Sequence, residues 1–170
     1  MMYAAHRMRQ ISLFPPQLPV HGGDLNQGRR KTRRPLAQKR PLHLVLKAKK
    51  RVLFANRQKV EALARRQAEK AGLKINDIAI PADHVHLILT FPSRKAYVGF
   101  VRALTGLLAR YWGKGFWLCL PFTRVLTWGK DYLNMRAYLK KNREEAAGVR
   151  EYEPRKDWYA KLRGKGKPSR

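Results

Sequence analysis

Two histidines separated by one residue, His84 and His86, stand at the head of an aliphatic run in the segment DHVHLIL. In a β-strand, alternate side chains share a face, so both imidazoles would point the same way, with Val85 opposite. Two neighbouring imidazoles can bind one metal ion, although two ligands rarely suffice. From the sequence alone, such a pair is more often incidental, as two polar residues on a solvated face of a sheet, than metal-binding.

A third candidate ligand occurs in the last predicted helix, within RAYLKKNREEA. Tyr138 and Asn142 stand at positions i and i+4 and therefore share a helical face. An amide oxygen beside two imidazoles would give a nitrogen–oxygen ligand set suited to Mg²⁺ or Mn²⁺. A phenol next to such an ion could attack a phosphate that the metal polarises. Considered alone, Tyr138 fits better as an ordinary half-buried helix aromatic.

The charge of the chain points to its partner. Lys and Arg number 38 against 11 Asp and Glu, which gives a formal charge of +27. Such an excess predicts a polyanionic partner, nucleic acid before a membrane surface. The candidate phosphate-binding residues lie in the N-terminal segment and around the last helix: Arg29, Arg30, Lys31, Arg33, Arg34, Lys39, Arg40, Lys130, Lys140 and Lys141.

The cysteine count and the lengths of the apolar segments exclude several other classes of protein. The single cysteine, Cys119, excludes an internal disulfide framework and a multi-cysteine zinc site. The sequence has no evident secretory signal and no apolar segment of membrane-spanning length. We therefore expect a cytoplasmic protein associated with nucleic acid.

The composition divides the chain into three regions. Residues 1–39 are rich in proline, glycine and basic residues and are predicted to be a flexible basic arm; 40–150 form a folded domain, and 151–170 a basic tail. Hydrophobic periodicity in the domain predicts the order β-α-β-β-α-β-α. This order is typical of an α+β fold, a ferredoxin-like antiparallel sheet with its helices on one face. The aromatic residues Trp112, Phe116 and Trp117 could stack on unpaired bases or pack in the core.

From about Arg40 to Gly148, the chain resembles the HUH single-tyrosine transposases, in particular proteins similar to REP-associated tyrosine transposases. The resemblance is carried, in this order, by RPLHLVLKAKK, DHVHLILTFPSRKAYVGFVRALTGLLAR and FTRVLTWGKDYLNMRAYLKKNREEAAG. It implies an HUH-type fold flanked by basic extensions. It also implies an endonuclease and strand transferase that acts on single-stranded DNA folded into hairpins.

The resemblance implies a role for each candidate residue. His84 and His86 match the metal-binding pair and Asn142 the third ligand of a divalent ion, Mg²⁺ or Mn²⁺. Tyr138 matches the nucleophile that forms a 5′-phosphotyrosine link. Asp83 stands where many relatives carry asparagine, and we expect it to contact a ligand rather than the metal. The partners implied are single-stranded or hairpin DNA and no membrane, with the protein acting as a monomer or as a homodimer.

Two alternative functions fit the same residues. A catalytically silent regulator that binds hairpin DNA would have the same fold. A basic RNA-binding module would stack bases on aromatic residues of its sheet face, and the strands PLHLVLK and LKINDIAI contain none.

Tyr132 precedes Tyr138 by six residues, or about 600° of helical rotation, so it points elsewhere and is not the predicted nucleophile.

Overall fold

The computed structural model describes residues 20–26 and 33–153. In these residues no helix is long and apolar enough to cross a membrane. The predicted β-α-β-β-α-β-α order is confirmed, and a short strand precedes it. The elements are β1 Val20–His21, a 3₁₀ turn Gly23–Asn26, β2 Leu42–Lys47, α1 Arg57–Lys70, β3 Lys74–Ala79, β4 His84–Thr90, α2 Arg94–Trp112, β5 Phe122–Val125 and α3 Lys130–Ala146.

The strands form one antiparallel sheet in the order β1-β5-β2-β4-β3. β4 therefore has a partner on each side, which accounts for its continuous aliphatic run. In the pairing of β2 with β4, Leu44 lies opposite Leu87 and Val45 opposite His86. The two histidines of β4 thus lie on an interior strand of the sheet and not on its edge.

The first two helices pack on one face of the sheet. The side chain of Ser93 begins α2, because its Oγ accepts a hydrogen bond of 3.1 Å from the backbone N–H of Ala96. One stripe of each helix covers alternate residues of β4. This core contains Val85, Leu87 and Leu89 of β4, Val60, Ala64 and Ala68 of α1, and Tyr97, Phe100, Leu104 and Leu108 of α2.

The third helix packs on the opposite face, which corrects one detail of the predicted fold. The α+β class and the antiparallel sheet are confirmed, but helices cover both faces and not one. The residues that join α3 to the sheet form a second apolar cluster: Ala79, Ile88, Leu126, Met135 and Leu139. Because Ile88 shares its face of β4 with His84 and His86, α3 covers the histidine face. At Ile88 and His86, both buried, that face is therefore not solvated, whereas His84 at the start of the strand stays partly exposed.

An irregularity in β3 helps to hold α3 in place. The pairing of β3 with β4 shifts between Ile75 and Asp77, and such a bulge changes which face the following side chains take. The Oδ1 of Asp77 accepts a 2.5 Å hydrogen bond from Nη1 of Arg143. The same guanidinium donates to the carbonyl of Ile78 at 2.7 Å. The C-terminal half of α3 is thus tied to the edge strand β3.

Part of the segment predicted to be a flexible arm lies against the domain. β1 pairs with β5, and Arg34 donates to Thr123 Oγ1 at 2.6 Å and to the His21 carbonyl at 3.2 Å. Arg94 in turn donates to the Arg34 carbonyl at 2.9 Å. These contacts place the described stretches of 1–39 against the domain. Arg29, Arg30 and Lys31 lie outside the described residues, as does the basic tail beyond 153.

The aromatic residues between α2 and β5 pack in the core. The rings of Trp112 and Phe116 stack with their centroids 5.0 Å apart, and Phe116 is buried. The indole N–H of Trp117 donates to the carbonyl of Thr105 at 3.0 Å. Of the two interpretations open at the level of sequence, core packing is the one observed.

The docking of α3 can be tested with a pair of leucines on that helix. Leu139 is 0% exposed and Leu133 is 58% exposed. We expect Leu139→Ala to lower the free energy of unfolding by about 2–5 kcal/mol, since it leaves a cavity between α3 and the sheet. Leu133→Ala should change it by no more than about 0.5 kcal/mol. Urea unfolding of both variants measures the difference, and equal values would contradict the packing described here.

Candidate functional site

The histidine pair lies on the α3 face of β4. The centroids of the His84 and His86 rings are 4.5 Å apart, and the ring planes are nearly perpendicular. His86 is 4% exposed, whereas His84 lies at the strand's start and is partly exposed. The two imidazoles are therefore close enough to bind one metal ion together, and His84 lies nearer to the solvent.

A carboxylate orients the outer ring. The Nδ1 of His84 donates to Oδ1 of Asp83 at 2.6 Å. Burial raises the pKa of Asp83, but the hydrogen bond to His84 and the charges of His84 and Lys47 outweigh it and leave the pKa below its ordinary value. Asp83 is therefore ionised and fixes the ring of His84, so that a metal could be bound only through Nε2.

A third imidazole, which the sequence places on the sheet face or near the substrate and not among the metal ligands, orients the inner ring. The Nε2 of His43, on β2, lies 3.0 Å from Nδ1 of His86, and the two rings stack at 5.2 Å. Burial, with smaller effects from the charges of Arg124 and His84, lowers the pKa of His43 to about 3. His43 is therefore neutral, and its Nε2 can accept a hydrogen bond. Its only signal in the sequence is its position on an apolar strand, since the contact depends on the β2–β4 register.

Tyr138 of α3 lies beside the inner imidazoles. Its ring contacts His86 edge-on, with centroids 5.5 Å apart, and lies 6.5 Å from the ring of His43. Tyr138 also borders a cleft of about 420 Å³, whose other lining residues are Ala137, Lys140, Lys141, Glu144 and Arg150. The Tyr138 ring and the two inner imidazoles are thus brought together within one chain, and the same tyrosine borders a cleft lined by three basic residues and one acidic residue.

Asn142 is buried on the stripe of α3 that faces the sheet, with 3% of its surface exposed. Its Nδ2 donates to the carbonyl of Tyr138 at 2.7 Å, so Oδ1 is the atom of this side chain that could bind a cation. Within 20–26 and 33–153, no group of three or more His, Cys, Asp or Glu residues could hold a metal ion. A metal at the histidine pair would therefore need an amide, substrate or water oxygen as well. The two imidazoles and the amide oxygen of Asn142 are ligands of the kinds that such a site needs.

The cations proposed to bind phosphate divide into two groups. Arg33, Lys39, Arg40, Lys130 and Lys140 are exposed, although Nζ of Lys140 lies 3.8 Å from a carboxylate oxygen of Glu144. Lys141 is paired with Glu153. Arg34 is committed to Thr123 and His21, as described above. The exposed group therefore offers the most accessible positive charge.

Tyr132 has a different environment from Tyr138. Its ring packs against Trp128 with centroids 5.0 Å apart, and the guanidinium of Arg136 lies 6.0 Å from its centre. Both tyrosines pack against the apolar cluster under α3, so the difference lies in their other neighbours. This position agrees with the helical rotation expected between the two tyrosines.

Fold and site define a class of protein: an α+β domain in which a strand bearing two histidines faces a helix bearing a tyrosine. The family model described as "Transposase IS200 like" matches residues 38–142. The chain therefore belongs to this transposase family. No curated protein matches it.

Two solved structures are similar to the chain. One is described as a REP-associated tyrosine transposase bound to a REP hairpin; it has 16% sequence identity and a TM-score of 0.54, over 66% of this chain and 72% of that one. The other is a candidate transposase from Deinococcus radiodurans R1, with 23% identity and a TM-score of 0.46, over 66% of this chain and 98% of that one. The first similarity supports the fold.

Proposed function

We propose that the protein is a metal-dependent endonuclease and strand transferase for single-stranded DNA folded into hairpins, with Tyr138 as its nucleophile. The observation that carries the proposal is the contact of the Tyr138 ring with His86, at 5.5 Å, inside one chain. Membership of a transposase family supports the reaction class. The hairpin bound to a relative of the same fold supports the substrate. The proposal does not require a homodimer, because one chain holds the histidines and the tyrosine.

His84 and His86 would hold a divalent ion, Mg²⁺ or Mn²⁺, through their Nε2 atoms, and Asn142 through Oδ1. Such an ion, when bound, polarises the scissile phosphate and orients it for attack. Asp83 accepts the Nδ1–H of His84, and neutral His43 accepts that of His86. These contacts fix the tautomer of each ligand before the ion binds.

The phenolic oxygen of Tyr138 would attack the phosphorus, with loss of its proton. The bond from phosphorus to the 3′ oxygen breaks, and that oxygen leaves and takes up a proton as a 3′-hydroxyl. The 5′ phosphate stays covalently attached to Tyr138. Since the new phosphodiester retains the energy of the broken one, attack by a 3′-hydroxyl can rejoin the strand without ATP.

The basic cleft and the exposed cations would bind the DNA backbone. Lys140, Lys141 and Arg150 line the cleft that Tyr138 borders. Arg33, Lys39, Arg40 and Lys130 add exposed positive charge, and Arg29, Arg30 and Lys31 continue it in sequence. Contacts of this kind give sequence-independent, salt-sensitive affinity. A protein that acts on chromosomal DNA in this way would work in the cytoplasm, with the nucleoid.

The test of this function is a cleavage assay on labelled hairpins taken from the DNA that flanks its own gene. With Mg²⁺ or Mn²⁺, we expect a covalent protein–DNA adduct that survives denaturation, and none with EDTA. Tight, salt-sensitive binding without an adduct under either metal would favour the silent hairpin-binding regulator instead. An RNA-binding module of the sheet-face type is disfavoured, since α3 covers one face and α1 and α2 the other.

The proposed role of His43 gives a further prediction. His43→Leu keeps an apolar side chain of similar size but leaves Nδ1 of His86 without its acceptor. Replacing such a partner of a metal ligand typically weakens metal affinity by about 10- to 100-fold, and we expect a loss of that size for Mn²⁺ in titration calorimetry. His43→Gln supplies an amide oxygen as acceptor and should restore most of the affinity. Equal affinities for the leucine variant and the wild type would rule out this role.

A further inference from the structure

Trp128 is exposed in a position that packing does not explain. It lies between β5 and α3, and 54% of its surface is accessible, although tryptophan is usually a highly buried residue. Its indole N–H donates to the carbonyl of Lys39 at 2.9 Å. Its ring rests against Tyr132, with centroids 5.0 Å apart and the planes tilted by 59°. The side chain is thus held at two points while more than half of it faces solvent.

The surface around this indole is positively charged. Lys39, whose carbonyl holds the indole, is exposed, as are Arg40 and Lys130. The acidic residue of this segment, Asp131, is already engaged, because its carboxylate accepts hydrogen bonds from Arg124 and from the backbone N–H of Thr127. A fixed aromatic ring among exposed cations suits a ligand with both a flat π-face and negative charge.

We propose that Trp128 is a stacking site for an unpaired base of the bound DNA, with Lys39, Arg40 and Lys130 contacting the neighbouring phosphates. The inference rests on the DNA-binding part of the proposed function and not on its chemistry. Stacking on an aromatic side chain accepts any base, because every base has a π-face. Tyr132 precedes Tyr138 by about 9 Å along the axis of α3.

Trp128 is a different candidate for base stacking from the aromatic residues that the sequence indicated. Trp112, Phe116 and Trp117 were the candidates for base stacking, and they are engaged in the core. Trp128 differs from them in lying on the α3 side of the sheet, where Tyr132 joins the cluster beneath that helix. An unpaired strand that reaches Tyr138 would have to pass over the same side.

The test compares two labelled hairpins with the full-length chain in EDTA, so that binding is measured without cleavage. One hairpin is blunt and the other carries an unpaired oligothymidine flank. We expect Trp128→Ala to weaken binding of the flanked hairpin by roughly 5- to 100-fold, the range for loss of one aromatic stacking partner. Binding of the blunt hairpin should be unchanged. In the wild type, abasic residues in the flank should cause the same loss.

Two variants separate stacking from a structural role. Trp128→Phe keeps an aromatic face but has no N–H for the Lys39 carbonyl, and we expect it to retain most of the affinity for the flanked hairpin. Tyr111→Ala removes a 64% exposed aromatic residue from α2, on the opposite face, and should bind like the wild type. Equal losses in Trp128→Ala on both hairpins, or a phenylalanine variant as weak as the alanine variant, would overturn the proposal. Adduct formation with Mn²⁺ is scored separately, so a failure of the chemistry would not be mistaken for a failure of this site.

Discussion

Tyr138→Phe is expected to abolish the covalent adduct between the protein and hairpin DNA. The substitution removes one oxygen and leaves the ring that contacts His86 and His43, so the fold and the metal ligands should be preserved. In a serine protease that forms a covalent intermediate, loss of the nucleophile lowers kcat by roughly a millionfold. A loss of that size would leave no adduct on a denaturing gel of labelled hairpin incubated with Mn²⁺.

The matched control is Tyr132→Phe, which removes the same atom from the other tyrosine of α3. It should form the adduct at the wild-type rate, because Tyr132 packs against Trp128 and not against the histidines. Tyr138→Phe should also bind the hairpin with wild-type affinity in EDTA, which separates chemistry from binding. An adduct that persists in Tyr138→Phe and disappears in Tyr132→Phe would show that the nucleophile is misassigned.

Substitution of either histidine of β4 should remove the divalent metal. His84→Ala and His86→Ala each delete one proposed ligand, and we expect affinity for Mn²⁺ to fall by more than about 100-fold, beyond the effect of losing a residue that only contacts a ligand. Electron paramagnetic resonance of free Mn²⁺ measures this loss in the absence of DNA. The adduct should disappear in both variants for the same reason.

His84 gives the cleaner experiment of the two. It is partly exposed, whereas His86 is buried beneath α3, so His86→Ala also leaves a cavity and a buried partner atom on His43. The control is His21→Ala on β1, which β5 and β2 separate from β4, and its Mn²⁺ affinity should match that of the wild type. If His84→Ala keeps the wild-type affinity for Mn²⁺ while its circular dichroism shows a native fold, the metal site lies elsewhere.

The side chains that form hydrogen bonds with the two histidines also differ in charge. His84 is held by an ionised carboxylate, and His86 by a neutral imidazole. A carboxylate acceptor makes an imidazole more basic than a neutral acceptor does. His84 would therefore be the stronger of the two ligands, and its position nearer to solvent places it where an incoming ion arrives first.

The sequence by itself determined most of the local structure. The alternation in DHVHLIL places His84 and His86 on one face, and the i, i+4 spacing places Tyr138 and Asn142 on one side of a helix. These relations depend only on the periods of a strand and a helix, which are properties of the backbone and hold wherever the element packs. The order of the elements, and with it the α+β class, follows from the same periodicities together with Ser93 at the start of α2.

Only the tertiary structure decided which surfaces meet. α3 carries two apolar residues beside a polar one on its buried stripe, Met135, Leu139 and Asn142, and such a stripe does not specify which face of a sheet it will cover. The choice depends on Ile88 and on the bulge that turns Asp77 towards Arg143, and both are long-range contacts. The contact of His43 with His86 depends likewise on strand register. Periodicity within one segment carries no information about register between segments, and for that reason the third imidazole and the covered histidine face emerged only from the folded chain.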